Sequence, residues 1–100
     1  MIHHGSVSLT RTQLQESDPH DRVGLLQEYA LAVLSTLRPP GSAPLDGASR
    51  LAESGVDSLQ VVELKFSLDE LLGRESDVDI FISNPTIRQL AEKMLQAAGL

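Results

Sequence analysis

The middle of the chain reads Gly55-Val56-Asp57-Ser58-Leu59-Gln60-Val61-Val62-Glu63-Leu64-Lys65-Phe66-Ser67-Leu68-Asp69-Glu70-Leu71-Leu72-Gly73. An aspartate such as Asp57 accepts well from the open N–H groups of a first helical turn, and Gln60, three positions on, completes a capping-box-like pair. Val61, Leu64, Leu68 and Leu71 then recur at spacings of three and four, one apolar stripe of a helix. Leu59, Val62 and Phe66 widen that stripe, which predicts a helix packed on two sides. Gly73 is a stop, because a helix commonly ends on a residue in the left-handed conformation.

Upstream, Arg38 to Val56 carries three prolines and three glycines among small polar residues. It reads as a long loop, with Leu45 and Leu51 pinning it to a core. Before it, Asp18 caps a helix, Pro19 suits the first position, and Asp21 complements the positive end. Val23, Leu26, Ala30, Val33, Leu34 and Leu37 form one face over about five turns, closed by Arg38 and Pro39-Pro40-Gly41. Met1 to Ser17 is polar and aperiodic and reads as a disordered leader, linker or tag remnant, with His3-His4 part of it. Downstream, Glu75 to Ser83 predicts a short helical turn, since no second strand is present to pair with it. Asn84-Pro85-Thr86 opens a last helix, with Asn84 or Thr86 as cap and Ile87, Leu90, Ala91, Met94, Leu95 and Ala98 facing inward before Gly99. The expected architecture is all-α: a small antiparallel four-helix bundle of three main helices and one short helix, with a long loop after the first.

One hundred residues with 41% hydrophobic content suffice for one modest core, and 3% aromatics make that core aliphatic. The net charge of −6 is confined to one stretch. Between Glu53 and Asp79 lie eight acids and two bases; the rest of the chain carries six of each. Such a balance repels nucleic-acid backbones and anionic lipid surfaces. With no cysteine there is no disulfide framework and no thiolate metal site, and no metal is expected. There is no run of about 18 apolar residues and no signal-peptide pattern at the start, so a cytoplasmic setting is the default.

Ser58 follows a long loop and opens an acidic helix, which predicts an exposed hydroxyl. Taken alone, a serine in this place reads as part of a helix start. Gly55-Val56-Asp57-Ser58-Leu59 is nevertheless followed by Val62-Glu63-Leu64 one turn later. Further on come Phe81, Asn84-Pro85-Thr86-Ile87 and Leu90-Ala91. With these flanks the chain, from about Asp18 to Leu100, resembles the phosphopantetheine-dependent carrier proteins, most of all the acyl carrier protein domains of polyketide and fatty acid synthases. The resemblance implies a carrier domain over residues 18–100. In it a separate phosphopantetheinyl transferase attaches 4′-phosphopantetheine from coenzyme A to Ser58. The arm's thiol then holds an acyl or polyketide intermediate as a thioester for an acyltransferase, ketosynthase or other synthase enzyme. The carrier catalyses nothing itself, and a monomer is expected in isolation.

By the same resemblance, Asp57 helps the transferase or its metal engage, beside its capping role. Leu59, Val62 and Glu63 are candidates for docking partner enzymes. Asp69 and Glu70 are further candidates, although charge runs are commonly just a solvated helix face. The chain departs from the family at several places. Gln60 stands where fatty acid carriers often have an acid. Ser54 stands where leucine is common, which predicts a weakly anchored loop end. Asp79-Ile80-Phe81-Ile82-Ser83-Asn84 replaces the usual lead-in to the last helix. Gly55-Val56-Asp57 favours an acyl carrier over a peptidyl carrier of a non-ribosomal peptide synthetase. An unmodified helical interaction module would keep the fold and lose the chemistry. A serine hydrolase would need a glycine two residues after Ser58 and a histidine base, with His20 the one histidine inside the predicted fold. Leu64→Ala is expected to cost about 2–5 kcal/mol in urea unfolding. Glu63→Ala is expected to unfold near the wild-type midpoint while slowing loading by a partner enzyme.

Overall fold

Caps mark most of the helix boundaries. A computed structural model describes residues 9–100, and helices form at Arg11–Glu16 (α1), Pro19–Leu37 (α2), Ser58–Leu72 (α3), Asp79–Ile82 (α4) and Ile87–Ala97 (α5). A single 3₁₀ turn, Leu51–Glu53, interrupts the long loop, and no strand occurs among the described residues. Asp18 caps α2 by accepting from the His20 N–H, with Pro19 in the first turn. Of the two candidate caps for α5, Thr86 serves, in a reciprocal box with Gln89. Asn84 takes another part: its backbone is left-handed at φ 55°, and its Oδ1 accepts from the Ala52 N–H at 3.0 Å.

The core is aliphatic, as composition requires. Leu26, Ala30, Val33 and Leu34 of α2 meet Leu64, Leu68 and Leu72 of α3 and Ile87, Leu90, Ala91, Met94 and Leu95 of α5. Leu51 and Phe81 add buried side chains from the loop and from α4. The largest helix interface is α2 on α5. The Gln60 side chain at the start of α3 reaches the carbonyl of Leu37 at the end of α2, so these helices run antiparallel. The long loop is stitched to the start of α5. The Ile87 and Arg88 N–H groups, left open by the helix itself, donate to Ser49 and Gly47 carbonyls, and the Leu51 N–H donates to Pro85.

Three expectations change. Residues 1–8, with His3 and His4, lie outside the described residues; residues 9–17, expected to be disordered, are instead ordered around a helix. Thr10 and Gln13 form a capping box, and Leu14 is completely buried. Arg11 donates to the Leu72 and Ala98 carbonyls at the ends of α3 and α5. Arg22 of α2 donates in turn to the Leu14, Gln15 and Ser17 carbonyls. Buried helix ends need such donors, so α1 belongs to the folded unit, which starts upstream of Asp18.

The second change concerns α3, which packs on one side only. Leu59, Val62 and Phe66 are 68%, 57% and 68% exposed, because no described element covers that face. The third concerns Ser54, which anchors the loop firmly: it is buried, and its hydroxyl donates to the Leu51 carbonyl at 2.6 Å. Leu14→Ala is expected to cost about 2–5 kcal/mol, and a chain beginning at Asp18 is expected to unfold at a lower urea midpoint than the full chain.

Candidate functional site

Gly55 turns the chain into α3 with φ +86°, a conformation that side chains with a Cβ rarely adopt. Asp57 Oδ1 then accepts from the Gln60 N–H at 2.8 Å, and Gln60 Oε1 accepts from the Asp57 N–H at 3.0 Å. The same Gln60 amide donates through Nε2 to the Leu37 carbonyl at 2.6 Å. One glutamine therefore closes the capping box and ties the start of α3 to the end of α2. Beside it, Arg38 lies against Gly55 and donates to the Ala43 carbonyl, holding the preceding loop.

Ser58 is the first residue of α3 and is exposed. With Gln60 and Val61 bonded to Asp57, the N–H groups of Ser58 and Leu59 have no acceptor among the described residues. Open N–H groups at a helix start favour an anion such as a phosphate. Ser58 also stands at the edge of a pocket of about 300 Å³ lined otherwise by Val61, Val62, Val78, Phe81 and Ile82. Ser58 supplies the one polar side chain of this lining, and α3 and α4 form its walls.

A turn of 3.6 residues sorts the remaining candidates. Leu59, Val62 and Phe66 fall on one face of α3, opposite Leu64 and Leu71. Glu63 and Glu70, both exposed, border that face on one side; Lys65 and Asp69 border it on the other. Asp69 does not join the exposed acids. Its carboxylate is turned inward, accepting from Lys65 Nζ at 2.7 Å, from the Ser76 hydroxyl at 2.6 Å and from the Ser76 N–H at 3.1 Å. Glu70 lies near Tyr29 of α2. Burial first, and the Glu70 charge second, raise the Tyr29 hydroxyl above its ordinary value near 10. Glu63 and Glu70 make no ion pair; among the described residues the ion pairs are Lys65–Asp69 and Arg88–Glu92.

The structure adds Phe66, Val78 and Ile82 to the exposed apolar set around Ser58. Phe66 was legible as an apolar residue but reads equally well as core. Its angular position opposite Leu64 is the signal that separates the two. Ser58 and His20 line different depressions, His20 sharing one with Asp18, Asp21 and Arg88. Among the described residues Ser58 therefore has no histidine beside it. Among the described residues no group of three or more His, Asp or Glu is placed to hold a metal ion, and no helix is long and apolar enough to cross a membrane.

Residues 31–94 match the family of the phosphopantetheine attachment site, a span that runs from within α2 through most of α5 and contains Ser58 and its pocket. The chain belongs to this family: it is a carrier domain for covalently attached 4′-phosphopantetheine. Such domains are substrates of a phosphopantetheinyl transferase and carry, rather than convert, their cargo. No curated protein and no solved structure gives a significant match to the chain. The exposed hydroxyl, the two open N–H groups and the apolar pocket together suit a phosphate-linked arm. Asp57→Ala is expected to cost about 0.5–2 kcal/mol in urea unfolding through loss of the cap.

Proposed function

We propose that Ser58 is the attachment residue and that the domain is an acyl carrier of the polyketide-synthase type. The observation that carries the assignment is an exposed serine hydroxyl at the first position of α3, inside the matched span, beside an otherwise apolar pocket. In the transfer, the Ser58 hydroxyl loses its proton and its oxygen bonds to the phosphorus of coenzyme A that bears the pantetheine. The bond to the nucleotide phosphate breaks, and the nucleotide leaves. The bound arm supplies the thiol that this cysteine-free chain lacks, and with it a thioester link to the cargo.

The chain's own residues then have separate tasks. Asp57 and Gln60 hold the first turn still. The Ser58 and Leu59 N–H groups face the phosphate charge. Leu59, Val62 and Phe66 form an apolar strip, extended by Val78 and Ile82, against which partner enzymes dock. Glu63 and Glu70 border the strip and steer basic patches toward it, affecting association rate more than final affinity. Acyl cargo is favoured over peptidyl cargo by Gly55-Val56-Asp57.

Intact-protein mass spectrometry after incubation with a promiscuous transferase and coenzyme A tests the reading. One arm's mass is expected on the wild-type chain and none on Ser58→Ala. An unmodified wild-type chain, under conditions that load another carrier fully, overturns the assignment.

A further inference from the structure

Among the described residues, Asn84 is the one non-glycine with a positive φ, at 55°. Pro85 follows it, and a residue before proline is kept out of the right-handed helical region. Asparagine is one of the few residues that tolerate the left-handed alternative. Such a conformation persists only where surrounding contacts hold it. Here the contacts run to the loop that precedes the attachment site. Asn84 Oδ1 accepts from the Ala52 N–H at 3.0 Å, 32 positions away, and the Asn84 carbonyl accepts from Arg50 Nη1 at 3.0 Å. The Pro85 carbonyl accepts from the Leu51 N–H at 2.9 Å. Three consecutive loop residues are thus held by two consecutive residues ahead of α5.

The residues so held open the 3₁₀ turn Leu51–Glu53, which has no side-chain cap of its own. A single turn of this kind has little stability in isolation. The Leu51 and Ala52 N–H groups at its start are open within the turn, and Pro85 and Asn84 accept from them. From the turn the chain runs straight into the site. Ser54 donates to the Leu51 carbonyl through both its N–H and its hydroxyl, Gly55 turns the chain with φ +86°, and Asp57 caps α3. Leu51 and Ser54 are buried, whereas Ala52, Glu53 and Gly55 are exposed. The turn therefore displays a surface a few residues ahead of Ser58. An enzyme that covers Ser58 over an ordinary protein–protein footprint covers that surface too.

We infer that Asn84 is a positioning residue for arm attachment: by capping the Leu51–Glu53 turn it holds Ala52, Glu53 and Gly55 where an approaching transferase meets them. The inference rests on the carrier reading above. The first turn of α3, which bears Ser58, is fixed separately by Asp57 and Gln60. Asn84 therefore acts on the encounter with the transferase and not on the transfer step. A loosened turn has to be ordered again on each encounter, and that cost falls on KM while kcat is unchanged.

The cap is testable in the unloaded chain by amide hydrogen exchange. Asn84→Gly permits the left-handed backbone and removes the acceptor, whereas Asn84→Asp keeps both. Asn84→Gly is expected to speed exchange of the Ala52 amide by about two- to tenfold, the effect of losing one neutral hydrogen bond. The Glu53 and Ser54 amides should follow, core amides of α2 and α5 should stay unchanged, and Asn84→Asp should exchange like the wild type. An unchanged Ala52 amide in Asn84→Gly, or a rise shared equally by α2 and α5, overturns the cap.

The positioning role is tested by the kinetics of loading with a phosphopantetheinyl transferase at saturating coenzyme A and varied carrier. Asn84→Gly is expected to raise KM by about two- to tenfold at unchanged kcat, and Asn84→Asp to restore it. An unchanged KM in Asn84→Gly, or a KM raised equally by Asn84→Asp, overturns the positioning role. A wild-type chain that takes no arm overturns the carrier reading and the positioning role with it. The exchange data on the unloaded chain then decide the cap separately.

Discussion

Gln60 holds two helix ends at once, and the geometry of the site follows from it. Its side-chain oxygen and main-chain N–H close the capping box with Asp57, and its side-chain nitrogen reaches the last carbonyl region of α2 at Leu37. The first turn of α3 is thereby fixed to another helix, and Ser58 is presented from a rigid element rather than a free loop. On the proposed function, a hydroxyl that a transferase must find and an arm that partner enzymes must find both benefit from such a fixed origin. The departure at position 60 from the acid common in fatty acid carriers is therefore more than a change of surface charge. An acid there could accept a hydrogen bond but not donate one to Leu37.

Around that origin the domain separates its polar and apolar tasks by angle on a single helix. One face of α3 builds the core, the opposite face presents Leu59, Val62 and Phe66, and the two edges differ in kind. Glu63 and Glu70 lie open to solvent on one edge. Lys65 and Asp69, on the other, are drawn into the α3–α4 junction. The net charge concentrated between Glu53 and Asp79 is thus heterogeneous: part is available to a partner, and part is structural. Counting acids along the chain cannot distinguish the two, because the difference depends on whether a donor such as Ser76 folds back onto the carboxylate.

What was legible in the sequence was what short-range physics decides. Asp57 with Gln60, Asp18 with Pro19, Gly73 and Thr86 mark helix boundaries through bonds made within a few residues, and they fall where expected. The core faces of α2 and α5 follow from periodicity for the same reason. The misses share a different origin. α1 is brief and contributes one core residue, Leu14, so its apolar pattern is too short to register, although Thr10 and Gln13 carry the capping-box spacing. Periodicity reads the outer stripe of α3 as a second packing face, because apolar character alone does not say whether a neighbour is there to cover it; only the family resemblance names Leu59 and Val62 as docking candidates. Asp69 was read from its own helix, while its decisive partner lies beyond the next turn.

The arginine contacts of α1 and α2 also determine where the polypeptide leaves the fold. Arg11 joins the beginning of the described chain to the ends of α3 and α5, and Arg22 reaches the Leu100 carbonyl at 3.3 Å. Both ends of the described chain, residues 9 and 100, therefore lie at the pole where α3 finishes, about 22 Å along the helix from Ser58. A partner that approaches the first turn of α3 thus meets α3 and α4, with the two ends of the described chain at the far pole.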